Sequence, residues 1–161
     1  MADETPTAIL EMTARPGLLV KWPHRGGMLL RLEEASVEFY RFLLVSIGVS
    51  QGTDRLALSD EALFAMLEDP LLEVFVLFLG AAPAGVFELD RREPGAVELA
   101  HFGLLPGFGG RGLAKYLLVK AVEAAWDEDP DRVWVSTAGS DDAGSLLLYQ
   151  WAGFTRMPGD G

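Results

Sequence analysis

VELAHFGLLPGFGGRGLAKYLLVKAVEAAW, residues 97–126, joins an apolar strand to a glycine-rich turn that opens directly into a long helix. Four glycines fall between Gly107 and Gly112. They remove Cβ atoms where a backbone must approach a ligand, and the following helix points unpaired N–H groups and its positive dipole end into the turn. The combination is an anion-binding device suited to a phosphate. Pro106 has no N–H. The donors are therefore Leu104 and Leu105 before it, and Gly109, Gly110, Arg111, Gly112, Leu113 and Ala114 after it, with a positive charge from Arg111. Apolar residues recur at Leu113, Leu117, Ala121 and Ala124, and at Ala114, Leu118, Val122 and Ala125, which is a helical period with a wide buried face.

Residues 107–112 spell G-x-G-x-x-G, yet the dinucleotide fingerprint needs the first strand of a βαβ half before it and an acid about 20 residues later. Here roughly a hundred residues precede the loop, and the next strand ends in Ser136-Thr137. A phosphate-binding P-loop requires a GK[ST] ending that is not present. The run Gly109-Gly110-Arg111-Gly112-Leu113-Ala114 instead resembles the R/Q-x-x-G-x-G/A signature of the GNAT N-acetyltransferases, which cradles the pyrophosphate of acetyl-CoA. Glu98 to Pro106 is similar to that family's fourth strand, and Tyr149-Gln150-Trp151-Ala152-Gly153-Phe154 to its Y-x-x-x-G-F helix end. The resemblance covers about Met28 to Phe154. Two departures stand out: Gly109 replaces the usual first Arg or Gln of the signature, and Asp142 stands where the family often has Asn.

At 161 residues the chain has the length of one domain, large enough to bury a core without staples. Residues 1–6 read as a disordered tail and 7–161 as a single domain. Cysteine is absent, which excludes disulfides, thiolate metal sites and a cysteine nucleophile, and no metal site is expected. Met1-Ala2-Asp3-Glu4 is acidic rather than signal-like, so the expected compartment is the cytoplasm. The longest apolar run, Val74 to Leu79, is strand-length and implies no membrane role. A net charge of −11 repels nucleic acid and favours cationic partners, such as an amine. The same charge also serves simply to keep a half-hydrophobic chain dispersed.

In order, Ala8 to Met12 reads as a short strand, Arg15 to Gly27 as loop and Met28 to Leu32 as a strand. Val37 to Leu44 has helical spacing, and Ser59-Asp60-Glu61 caps a second helix that stops near Pro70. The helix aromatics, Tyr40 among them, are ordinary core residues by spacing, although in the family this region borders the acceptor site. Val74–Leu79 and Ala84–Leu89 form a hairpin across Gly80-Ala81-Ala82-Pro83, and Arg132 to Ser136 is the strand after the long helix. This order is that of the GNAT fold, an α/β architecture whose mixed, mostly antiparallel sheet has flanking helices and a splayed pair of central strands. The family adds a C-terminal hairpin, for which little chain remains after Phe154. The strand at Ile9–Met12 or a second subunit, as in a homodimer, is expected to cover the edge left open.

The resemblance implies acetyl transfer to a primary amine by direct attack on acetyl-CoA, with Leu104 or Leu105 donating an N–H to the acetyl oxygen. It places Glu98 where histone acetyltransferases of the superfamily carry their base, and Tyr149 where the family has the tyrosine that protonates the leaving thiolate. An amine of pKa about 10 is mostly protonated at neutral pH, so a carboxylate must accept a proton. Glu88 on the adjacent strand is a second candidate, and a solvated strand position is the plain alternative for both glutamates. His101 could serve as a base, but simple alternation puts it on the opposite face from Glu98 unless a bulge intervenes. His24 lies in a loop and carries no signal. For Tyr149 the plain alternative is packing against the sheet. The acceptor stays open, and a non-catalytic acyl-CoA-binding or sensor module is the alternative that Gly109 allows.

Overall fold

The computed structural model describes residues 8–18, 20–21, 27–50, 52–110, 112–137 and 143–157, the last segment without the side chains of residues 143 and 144. The proposed tail at 1–6, His24, Arg111 and Asp142 lie outside the described residues. In chain order the elements are β1 (Ala8–Met12), β2 (Gly27–Arg31), α1 (Val37–Ser46), α2 (Asp60–Leu67), β3 (Leu72–Leu79) and β4 (Ala82–Asp90). They continue with β5 (Ala96–Leu104), α3 (Leu113–Trp126), β6 (Arg132–Thr137), α4 (Ala143–Ala152) and β7 (Thr155–Arg156).

These strands form one sheet in the order β2-β3-β4-β5-β6-β1-β7. Every described pairing is antiparallel except β5 with β6, which α3 connects as a crossover. Each face carries its own core. On one, the apolar stripe of α3 (Leu113, Leu117, Leu118, Ala121, Val122) packs on Phe87, Leu89, Val97, Leu99, Val133 and Val135. On the other, Tyr40, Leu43 and Leu44 of α1 and Leu63 of α2 cover Val74, Val76 and Val86. Serine caps start both of these helices: Ser36 Oγ accepts the Phe39 N–H at 3.0 Å, and Ser59 Oγ accepts that of Ala62 at 3.2 Å. Among the described residues no helix is long and apolar enough to cross a membrane.

The hairpin between β3 and β4 is tighter than the sequence suggests. Leu79 already pairs with Ala82, so Gly80 and Ala81 make the whole turn. The edge expected to be open is occupied: β1 pairs antiparallel with β6 from Ala8↔Thr137 to Met12↔Val133, and the two-residue β7 adds outside it. A helix end makes that possible. The Phe154 N–H bonds Tyr149 O and the Gly153 N–H bonds Gln150 O, both at 3.1 Å, turning the chain out of α4 and into β7. Leu10 and Met12 of β1 join the α3 core, with Leu10 fully buried. Leu10→Ala is therefore expected to lower stability by about 2–5 kcal/mol in urea titrations. An unchanged midpoint would mean that β1 is not docked in solution.

Candidate active site

The loop from Leu105 to Gly112 is built by backbone geometry. Phe108 N–H bonds Leu105 O at 3.3 Å, and Pro106 with Gly107 (φ +90°) fills the centre of a type II turn. Gly110 and Gly112 are also left-handed, with φ of +77° and +74°. Gly112 is the N-cap of α3 and offers no side-chain cap. The first intrahelical bond in the loop runs from Tyr116 N to Gly112 O at 3.4 Å, so the amides of Leu113, Ala114 and Lys115 have no acceptor within the helix. A Cβ placed at Gly107, Gly109, Gly110 or Gly112 would meet no atom of the other described residues within 4 Å, its chain neighbours aside. Among the described residues the cradle thus opens outward, with room for an anion. Gly109 alone among these four has an ordinary φ, so the fold does not demand glycine there.

Beside the loop the sheet comes apart. β5 and β6 pair only from Ala96↔Arg132 to Glu98↔Trp134, although β5 runs on to Leu104 and β6 to Thr137. Their facing edges beyond that point are unpaired among the described residues, and the gap between them leads from Glu98 up to the α3 cradle. Of the two amides expected to serve an acetyl oxygen, Leu105 is committed: its N–H donates to Ala84 O at 2.8 Å. Successive amides of a strand point to opposite edges, so the Leu104 N–H is directed at the gap instead.

Glu98 sits at the point where pairing stops. Its side chain is half-buried and lines a cavity of about 380 Å³ with Asp90, Arg92 and Trp134. Among the described residues it has neither a hydrogen bond nor an ion pair, whereas neighbouring Asp90 is held by Arg92 through bonds of 3.0 and 2.8 Å. Burial, and then the charge of Asp90 across the strand, push the Glu98 carboxyl above its usual range.

His101 shares the face of Glu98, against simple alternation. Glu88 pairs with His101 and Leu89 with Leu99, so Ala100 is an extra residue, a β-bulge that resets the phase of β5. The sequence carried a trace of it. Val97 and Leu99 point to the α3 core, and so do Phe102 and Leu104, a change of parity that only a bulge permits.

Glu88 is fully buried, not a solvated strand position. Its carboxylate accepts the Tyr40 hydroxyl proton and is bridged by the Arg55 guanidinium, which also donates to the Tyr40 oxygen at 2.6 Å. Burial alone would raise the Glu88 pKa, but His101, Arg55 and Tyr40 outweigh it and hold the carboxyl below its usual range. The Tyr40 hydroxyl is pushed far up by burial and by the charge of Glu88. Glu88 is thus an anchored anion with its oxygens engaged, and the aromatic Tyr40 serves this network as well as the core.

The GNAT acetyltransferase family model matches residues 30–154, most of the chain. The protein belongs to the GNAT acetyltransferase family. No curated protein matches it in sequence. An acetyltransferase from Bacillus subtilis solved with CoA is 25% identical, with 80% of this chain and 76% of that one covered and a TM-score of 0.61. A GCN5-related N-acetyltransferase from Sphaerobacter thermophilus is 16% identical at a TM-score of 0.68. A Staphylococcus epidermidis protein described as functionally unknown is 13% identical at 0.65. In these last two cases 94% of this chain is covered, but it spans only 48% and 57% of the other.

Within this GNAT fold, Tyr149 lies on α4 with its ring edge-on to Phe102 of β5 and to Phe154, at centroid separations of 6.2 and 5.9 Å. Phe102 stands on the strand that borders the gap, so packing brings Tyr149 to the side of the splay opposite Glu98. A larger cavity, about 870 Å³, is lined by Arg31, Glu34, Phe64 and Leu72 near β2 and α2, and includes no residue of the loop or the gap.

The raised pKa of Glu98 carries a stability consequence. A group whose folded pKa exceeds its unfolded value favours folding when protonated, and that contribution is lost as pH rises through the folded value. Ionised Glu98 therefore opposes folding at neutral pH. Glu98→Gln is expected to melt higher than the parent at pH 7.5, with the difference vanishing below about pH 4. A lower melting temperature at pH 7.5 would show that Glu98 is paired in solution.

Proposed function

We propose that the protein moves an acetyl group from acetyl-CoA to a primary amine by direct attack, without an acyl-enzyme. The observation that carries this reading is the single continuous path from the uncapped N-terminus of α3, along the unpaired edge of β5, to the unpartnered carboxylate of Glu98. Amides of Gly110, Gly112, Leu113 and Ala114 would hold the pyrophosphate, with Gly109 giving backbone only and Arg111 adding charge. The Leu104 N–H would meet the acetyl oxygen, where negative charge grows as the amine attacks. Acetyl-CoA supplies the activated thioester; the chain supplies orientation and proton transfer.

Glu98 is suited to take a proton from the bound ammonium, because its raised pKa brings it closer to the amine than an exposed carboxylate would be. The cavity beside it presents the carboxylates of Glu93 and Glu98 and the Trp134 ring, groups that attract a cation, next to an Asp90 already paired with Arg92. Tyr149 would return a proton to the departing thiolate from the other side.

Calorimetry separates this reading from a dinucleotide site: CoA is expected to bind and NAD not, and tight NAD binding without a CoA signal would refute it. Gly112→Glu should abolish CoA binding, since it places a carboxylate at the helix N-terminus where phosphate would lie. With an amine found by panel screening, Glu98→Gln should cut the rate about a hundredfold at neutral pH and recover partly at high pH, where free amine is abundant. Tyr149→Phe should lose activity without that rescue. CoA binding with no acetylation of any amine would favour an acyl-CoA sensor.

A further inference from the structure

Acetylating an ammonium group takes two protons from its nitrogen. The substrate nitrogen begins with three N–H bonds and ends, in the amide, with one. Of the two protons that leave, one is balanced by the thiol formed on CoA and one goes to solvent. An arrangement with a single base must empty itself between the two transfers, whereas a second acceptor on the same face removes that delay.

Resting on the acetyltransferase reading, we propose that His101 is this second proton acceptor and that Glu88 is its positioning residue. The bulge at Ala100 turns His101 onto the face of Glu98. Its Nδ1 is buried, makes no hydrogen bond among the described residues, and lies 3.6 Å from Glu88 Oε1. At that distance the contact is electrostatic, and a carboxylate facing Nδ1 favours the neutral tautomer with its proton there over one that turns a lone pair toward it. Nε2, on the far side of the ring, is then a lone pair directed away from Glu88.

Glu88 is well placed for this task because it cannot turn. Tyr40 from α1 and Arg55 from the turn before α2 hold its oxygens, and Arg55 balances its charge. The charged and titratable groups about the pair are Glu88 and Asp90 on β4, Tyr40, Arg55, and Glu98 on β5 itself. In the step assigned to His101, an N–H bond of the attacking nitrogen breaks as the amide forms. The proton bonds to Nε2, Glu88 stabilises the imidazolium, and the proton passes to solvent.

The first test is nitrogen NMR of the histidine side chains in the intact protein. The chain has two histidines, so His101→Gln assigns both signals. The expected result is a neutral His101 protonated on Nδ1, and a loss of that preference in Glu88→Gln, where no carboxylate faces Nδ1. A ring protonated on Nε2 overturns the proposal. The second test is the pH dependence of kcat/KM with an amine substrate. His101→Gln should lose about a hundredfold in rate with unchanged CoA affinity. Glu88→Gln should lower kcat with KM unchanged, and should add nothing in the His101→Gln background. A Glu88→Gln protein that fails to fold leaves the His101→Gln rate and the wild-type tautomer to decide. His101→Gln with full activity at every pH overturns this proposal alone, while a wild-type protein that acetylates no amine overturns it together with the acetyltransferase reading.

Discussion

The structure depends on a pairing that stops. β5 and β6 are the only parallel neighbours among the described residues, and they keep their register for three residues on each strand before they part. Parallel strands need a crossover, and α3 provides it, so the helix N-terminus necessarily lies at the end where the strands diverge. The gap and the anion cradle are therefore consequences of one connection. The hydrophobic stripe of α3 holds the geometry, since Leu113, Leu117 and Leu118 are fully buried against strands on both sides of the opening.

Keeping two strands apart leaves backbone groups unpaired, which a fold tolerates only if the rest of each strand is secured. β5 is secured on its other side by β4, along nearly its whole length. β6 is secured by β1, whose pairing reaches to Thr137, beyond the last contact of β6 with β5. The N-terminal strand thus stabilises the far wall of the gap from outside. The buried network of Tyr40, Arg55 and Glu88 acts similarly on the near wall, fastening α1 and the turn before α2 to the centre of β4.

Much of this was legible in the sequence because its causes are local. Proline and glycine chemistry from Pro106 to Gly112 and the helical period after it mark the cradle. Helical spacing from Val37 and the serine before Asp60 mark two helices, and Gly153 marks the end of α4. What escaped depended on partners distant in sequence. The bulge at Ala100 exists only relative to β4, so alternation misplaced His101, although the parity change between Leu99 and Phe102 recorded it. The commitment of the Leu105 amide to Ala84 followed from the same register. Glu88 looked like a solvated position, yet a carboxylate within Val86-Phe87-Glu88-Leu89 signals a buried charge, and its partners Tyr40 and Arg55 lie 48 and 33 residues away.

The central claim is that the β5–β6 gap is an acetyl-CoA channel closed at one end by Glu98. A crystal structure of the protein with acetyl-CoA tests it most directly. The account expects the pyrophosphate on the amides from Gly110 to Ala114, the pantetheine arm between β5 and β6, and the acetyl oxygen at the Leu104 N–H with Glu98 facing the thioester. A pyrophosphate bound away from the α3 N-terminus, or a thioester outside the gap, would contradict it.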